Sequence, residues 1–178
     1  MINVKNYTVV IPCISYKDVK NCIKKIREKY KTIKIIVCLN NFNFKKNKDK
    51  NLKFILTKSK SIGEKRNIAV NACKSRYLAF IDSDAYPGDK WIESTYKLIK
   101  KNKVGIIAGP HVDPITQNDS EKLIGMVKKS FLITMNPRVQ KSNTEKQQFV
   151  SFLPSVNWIL SRKLFNSLKQ MNKKESFK

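Results

Sequence analysis

A series of short, predominantly apolar runs that do not alternate with polar residues constrains the fold most strongly. They occupy residues 8–11, 33–38, 54–56, 77–81 and 104–108, and longer amphipathic stretches separate them. A strand that is apolar on both sides needs cover on both faces, which is the situation in a parallel sheet between helices. The separating stretches supply those helices. Val19, Cys22, Ile23, Ile26 and Tyr30 recur at helical spacing over 17–30. Over 61–74, Ser61 and Glu64 have capping-box spacing, and Ile68, Ala69 and Ala72 form a stripe. Pro87-Gly88-Asp89 opens a third helix running to residue 101. Beyond Pro110 the pattern loosens: a helix over 121–135, a polar stretch over 136–148, a strand over 155–160 and a helix over 162–170. The expected class is α/β, a three-layer sandwich around a mostly parallel central sheet.

With 178 residues the chain is expected to be a single domain, residues 1–178. No apolar run approaches the ~18 residues that span a bilayer. The first twelve residues run into a strand without a signal-peptide layout. Four cysteines, at 13, 22, 38 and 73, include no CxxC pair and accompany a single histidine, His111. A zinc site is not expected, and free thiols fit a reducing cytoplasm.

The formal charge of +24 needs dissection, because Lys supplies 32 of the 37 cations and Arg only 5. Readers of base sequence favour Arg, whose planar fork pairs with guanine edges and phosphates. Abundant Lys with 17 Asn and 20 Ile is what AT-rich codons produce. The charge reads as a solvated face, with attraction to an anionic membrane or to phosphorylated ligands as the alternative. A nucleic-acid binder is disfavoured by the Arg shortage.

The five glycines make neither GxGxxG nor GxxxxGK[ST], so a dinucleotide fingerprint and a P-loop are excluded. Asp82-Ser83-Asp84 directly follows the run 77–81 and offers another way to hold phosphates. Alternate residues leaving a strand place two carboxylates at the carboxyl edge of the sheet, where such sheets bind ligands. Two hard oxygen donors suit Mg2+ or Mn2+ carrying a diphosphate. An acidic turn or helix cap is the plainer reading. Gly63-Glu64-Lys65-Arg66-Asn67 begins a helix whose N-terminus and cations favour phosphate, against a solvated helix face. Trp91 and Trp158 read as core or half-buried anchors. His111 reads as a surface histidine, and 123–129 as a helix packed on the sheet rather than a membrane-surface segment.

In this order, Val9-Val10-Ile11-Pro12, Ile35-Ile36-Val37, Gly63-Glu64-Lys65-Arg66-Asn67-Ile68-Ala69, Tyr77-Leu78-Ala79-Phe80-Ile81-Asp82-Ser83-Asp84, Trp91 and Leu153-Pro154-Ser155-Val156-Asn157 resemble the family 2 glycosyltransferases, which have the GT-A fold. The resemblance runs from about residue 7 to 168 and is strongest over 61–92. It implies a nucleotide-diphospho-sugar donor bound by 7–110, a partial acceptor region over 111–178, a divalent metal (Mn2+ or Mg2+), and inverting transfer to a hydroxyl of a glycan or lipid-linked glycan. By the resemblance, Asp82 and Asp84 match the D-x-D pair that touches ribose and holds metal and diphosphate. Arg66, with Gly63 before it, falls near base and diphosphate, the loop Pro12 to Ser15 lines the base pocket, and Asn157 lies in the sugar and acceptor region.

Two departures qualify this. Where the family's second strand usually ends in Asp-Asp, this chain has Leu39-Asn40, so Asn40 is expected to meet the base with an amide. The family's late Glu-Asp segment, carrying the general base, has no match before Lys178, so the catalytic base is expected beyond that residue. Rival readings are a non-catalytic or incomplete donor-binding relative that docks on a partner, and a nucleotidyltransferase. The latter would bring a Gly-rich loop that Pro12-Cys13-Ile14-Ser15 is not.

Overall fold

The computed structural model describes residues 3–41, 47–102, 105–109, 118–120, 123, 126–127 and 155–168. In chain order the elements are β1 (Tyr7–Pro12), α1 (Tyr16–Lys29), β2 (Lys34–Leu39), β3 (Leu52–Leu56), α2 (Ile62–Asn71), β4 (Tyr77–Phe80), α3 (Trp91–Asn102) and β5 (Ile106–Ala108). A single-turn helix at Ser155–Asn157 then leads into β6 (Trp158–Ser161) and α4 (Arg162–Ser167). Two compact units are distinguished. One is Met1–Ile107 with Pro154–Lys178, and the other is Ala108–Leu153.

The strands form one sheet in the order β3-β2-β1-β4-β6-β5. β1 runs parallel to both β2 and β4, β3 runs parallel to β2, and β6 runs antiparallel to β4. The chain therefore builds outward on one side of β1 and then crosses to the other. That reversal opens a crevice beyond the carboxyl ends of β1 and β4.

The non-alternating apolar runs are explained by cover on both faces. Val9, Ile11, Ile35, Val37, Leu39 and Ala79 pack with α1 through Val19, Cys22, Ile23 and Ile26, and with Trp91 and Ile92 of α3. The alternate positions Val10, Ile36, Cys38, Leu78 and Phe80 pack on the other face with Ala69, Val70 and Cys73, and with Phe165 of α4. The expected three layers are present.

Several local expectations are corrected. Residues 155–157 form a helical turn, not strand, and the β6 that follows is antiparallel. β5 is half-buried, because it lies at the sheet edge. The capping-box spacing at Ser61 is half used: Ser61 Oγ accepts from the Glu64 amide, while Glu64 accepts from Ser59 Oγ at 2.7 Å. At α1 it is the Asp18 carboxylate that reaches back to the N-cap, accepting from the Ser15 amide and hydroxyl, both at 2.9 Å. Both tryptophans match expectation, Trp91 buried and Trp158 half-buried, and all four cysteines are buried free thiols. His111, the stretch 136–148 and most of the helix expected over 121–135 lie outside the described residues, as do residues 169 and 170 of the last helix.

Candidate functional site

The loop after β1 forms one wall of the crevice. Pro12 ends the strand, and Ile14 O accepts from the Asn40 and Asn41 amides at 3.0 Å each, tying this loop to the end of β2. Ser15 caps α1, as described above. The wall is thus set by backbone bonding and a cap, with Cys13 buried in the core beneath it.

Asn40 sits at the expected edge, with its amide used inside the protein. Its Nδ2 donates to Thr57 O and Ser59 O at 2.8 Å each, which consumes both amide hydrogens. Its Oδ1 accepts from Lys65 Nζ at 2.7 Å, and the same ammonium donates to Cys13 O at 2.6 Å. Lys65 is only 2% exposed. Burial pushes its pKa down and pushes the Cys13 thiol up to about 12, the ammonium opposing the latter shift.

The solvated-face reading of the 63–67 segment is overturned, since Lys65, Arg66 and Asn67 are all buried. Gly63 occupies the first turn of α2, and the next residues turn inward on the stripe that continues through Ala69 and Val70. Arg66 Nη2 donates to Asp82 Oδ1 at 2.8 Å and to Ser155 O at 3.0 Å, and Nη1 donates to Ser155 Oγ at 2.8 Å. Its guanidinium lies 5.6 Å from the Phe80 ring centroid. Burial lowers its pKa, with Asp82 opposing that shift. Arg66 thus holds the first carboxylate of the D-x-D pair.

Asp82 leaves β4 with its backbone held as well. Its carbonyl accepts from the Ala85 amide at 3.1 Å and from Cys22 Sγ at 3.7 Å. Burial, assisted by Asp84 and Asp82, raises the Cys22 thiol to about 12, so that group stays a neutral donor. Asp84 is exposed, and its carboxylate has no hydrogen bond or ion pair among the described residues. On the far wall, Asn157 Oδ1 accepts from Trp91 Nε1 at 2.7 Å.

The contacts thus join Asn40 and Lys65 to the loop that follows Pro12, and Arg66 to Asp82 and Ser155, with Asp84 two residues on and Asn157 bonded to Trp91. Sequence reasoning missed Lys65 and Ser155. Helical spacing from Lys65 to Ala69 was a usable signal for the first, and its place in the segment 153–157 was one for the second. Among the described residues no three acidic, histidine or cysteine side chains form a metal-holding group. The donor set is two carboxylates. That suits a hard divalent cation whose remaining positions go to water and phosphate oxygens.

Residues 8–169 match the family described as Glycosyl transferase family 2. This chain belongs to glycosyltransferase family 2. Solved structures agree on the fold. TarS of S. aureus, residues 1–349, superposes with a TM-score of 0.65 at 12% identity, over 94% of this chain and 50% of that one. The mannosyltransferase PcManGT of Pyrobaculum calidifontis, in complex with GDP-Man and Mn2+, gives 0.62 at 14% identity, over 95% and 48%. This family 2 chain thus has the GT-A fold and spans about half the length of those chains. No curated protein matches it.

Proposed function

We propose that the crevice binds a nucleotide-diphospho-sugar, and that the protein takes part in metal-assisted, inverting transfer of the sugar to an acceptor hydroxyl. The observation that carries this reading is the pairing of a positioned and an unengaged carboxylate, Asp82 held by buried Arg66 and Asp84 exposed beside it. TarS has also been solved with UDP and with UDP-GlcNAc, and PcManGT with GDP-Man and Mn2+, which supports a nucleotide-sugar and a divalent ion at this kind of fold.

Asp84 is the carboxylate for Mn2+ or Mg2+, and Asp82 supports it and reaches the donor. An ion held there by Asp84 would supply charge neutralisation for a departing diphosphate. Arg66 keeps Asp82 in one rotamer and gives it a fixed positive neighbour. Pro12 to Ser15 shape the base pocket. With its amide hydrogens committed, Asn40 serves the base indirectly by bracing the loop that carries Thr57 and Ser59. Asn157, fixed by Trp91, belongs to the sugar and acceptor side. The domain reading is one GT-A domain with donor binding over 7–110 and an acceptor region over 111–178. The acceptor is a glycan or lipid-linked glycan, with the Lys-rich surface in contact with an anionic membrane at its cytoplasmic face.

Calorimetric titration with nucleoside diphosphates, with and without Mn2+, tests the reading. Metal-dependent binding that Asp84→Ala abolishes is expected, with thermal stability unchanged because Asp84 is exposed. Metal-independent binding, or none, refutes it. Binding without sugar transfer would leave donor recognition standing and favour the incomplete-relative reading.

A further inference from the structure

At the end of β4 remote from Asp82, a cavity of about 630 Å³ opens between β4, β6 and the start of α4. Its lining includes Lys74, Arg76, Arg162 and Lys163, and among the described residues no acidic one. Lysine is everywhere in this chain, so two of the scarce arginines in one cavity are the informative part. Four arginines are described. Arg27 pairs with Asp49 at 2.7 Å and Arg66 with Asp82 at 2.8 Å. Arg76 and Arg162 have no carboxylate partner among the described residues, and both line this cavity.

The ladder forces these two together. Tyr77 pairs with Ser161 across the antiparallel strands, and the Arg162 amide donates to Arg76 O at 2.8 Å one step further out. Like charges placed opposite each other across strands cost stability. The Arg76 guanidinium lies 5.4 Å from the Tyr77 ring centroid, a stacked position that limits its freedom. Ser161 Oγ accepts from the Leu164 amide at 3.1 Å, which leaves its hydroxyl proton as a donor at the cavity wall.

We propose that this cavity is a second anion site, taking a phosphate-bearing ligand between Arg76 and Arg162, with Lys74, Lys163 and the Ser161 hydroxyl completing the donor set. Two guanidinium forks and a hydroxyl match the several oxygens of a phosphate ester or diphosphate better than those of a monovalent halide. An anion there offsets the repulsion between the two arginines. The site does not depend on the donor crevice, so it stands or falls apart from that assignment.

The test uses the full chain in EDTA at fixed physiological ionic strength. Two probes separate the sources of phosphate: inorganic pyrophosphate, and phosphatidylglycerol vesicles diluted in phosphatidylcholine. Arg76→Gln/Arg162→Gln is compared with Lys20→Gln/Lys24→Gln, which removes equal charge from exposed positions on α1. The arginine pair should weaken binding about tenfold or more, against less than about twofold for the lysine pair. Loss with pyrophosphate assigns a free phosphate compound, and loss with vesicles alone assigns a lipid headgroup. Should the arginine variant fail to fold, Lys74→Gln/Lys163→Gln, both exposed, should weaken binding to an intermediate degree. Equal weakening by the cavity and α1 variants, or no binding of either probe by the wild type, overturns the proposal.

Discussion

The Arg66–Asp82 pair lends itself to a double-mutant cycle. The guanidinium side chain is 4% exposed, the carboxylate 30%, and they meet at 2.8 Å. Charge centres about 4 Å apart at an effective dielectric near 20 attract by about 4 kcal/mol. Desolvation of the guanidinium and water at the exposed part of Asp82 remove about half, leaving a coupling of about 2 kcal/mol. Arg66→Met also gives up both bonds to Ser155, worth about 1 kcal/mol each, so alone it should cost about 4 kcal/mol. Urea unfolding of wild type, Arg66→Met, Asp82→Ala and the double variant, at shared slope, yields the coupling directly. Most of it should survive 0.5 M salt, roughly an order above dilute buffer, because one partner is buried. A coupling below about 0.5 kcal/mol, the range of exposed pairs, would refute the view that Arg66 holds the carboxylate.

Alkaline stability should fall from pH 9, since the thiols of Cys13 and Cys22 are raised from 9.0 to about 12 and that of Cys38 to about 11. These acids stay protonated when folded and ionise when unfolded, so the stability they contribute is full below pH 9 and is lost as pH rises towards 12. Thermal melts across that window check it, and Cys22→Ala should flatten the slope. Asn40→Asp, which restores the residue type usual in the family, should destabilise the protein by about 2 kcal/mol. It sets a carboxylate against two carbonyls that now accept from an amide, despite the nearby Lys65. Chemical denaturation reads this out, and a more stable variant would contradict the assigned bonds. Phe80→Ala, at a fully buried site packed on Phe165, should cost about 4 kcal/mol by the same measurement.

Runs such as Val9-Val10-Ile11 and Ile35-Ile36-Val37 have one economical solution, a strand covered on both faces, because each run must bury side chains that point in opposite directions. That local rule made the layered α/β fold legible. The position of Asp82 and Asp84 just after the run 77–81 likewise marked the carboxyl edge of the sheet before any coordinates. Strand order was not legible, because it depends on which neighbours pair over long sequence separations. Only the crossover from β3 to β4 places the ends of β1 and β4 side by side.

The identities of the polar partners also came from the tertiary structure alone. Lys65 resembles the other lysines in sequence, and it is buried because Cys13 O and Asn40 Oδ1, 52 and 25 residues away, supply acceptors for its ammonium. Ser155 reaches Arg66 across 89 residues. Apolar pattern reports what each segment must hide, which is a local property. The partner of a buried charge is chosen by the packed fold, through desolvation that only the assembled sheet and helices impose.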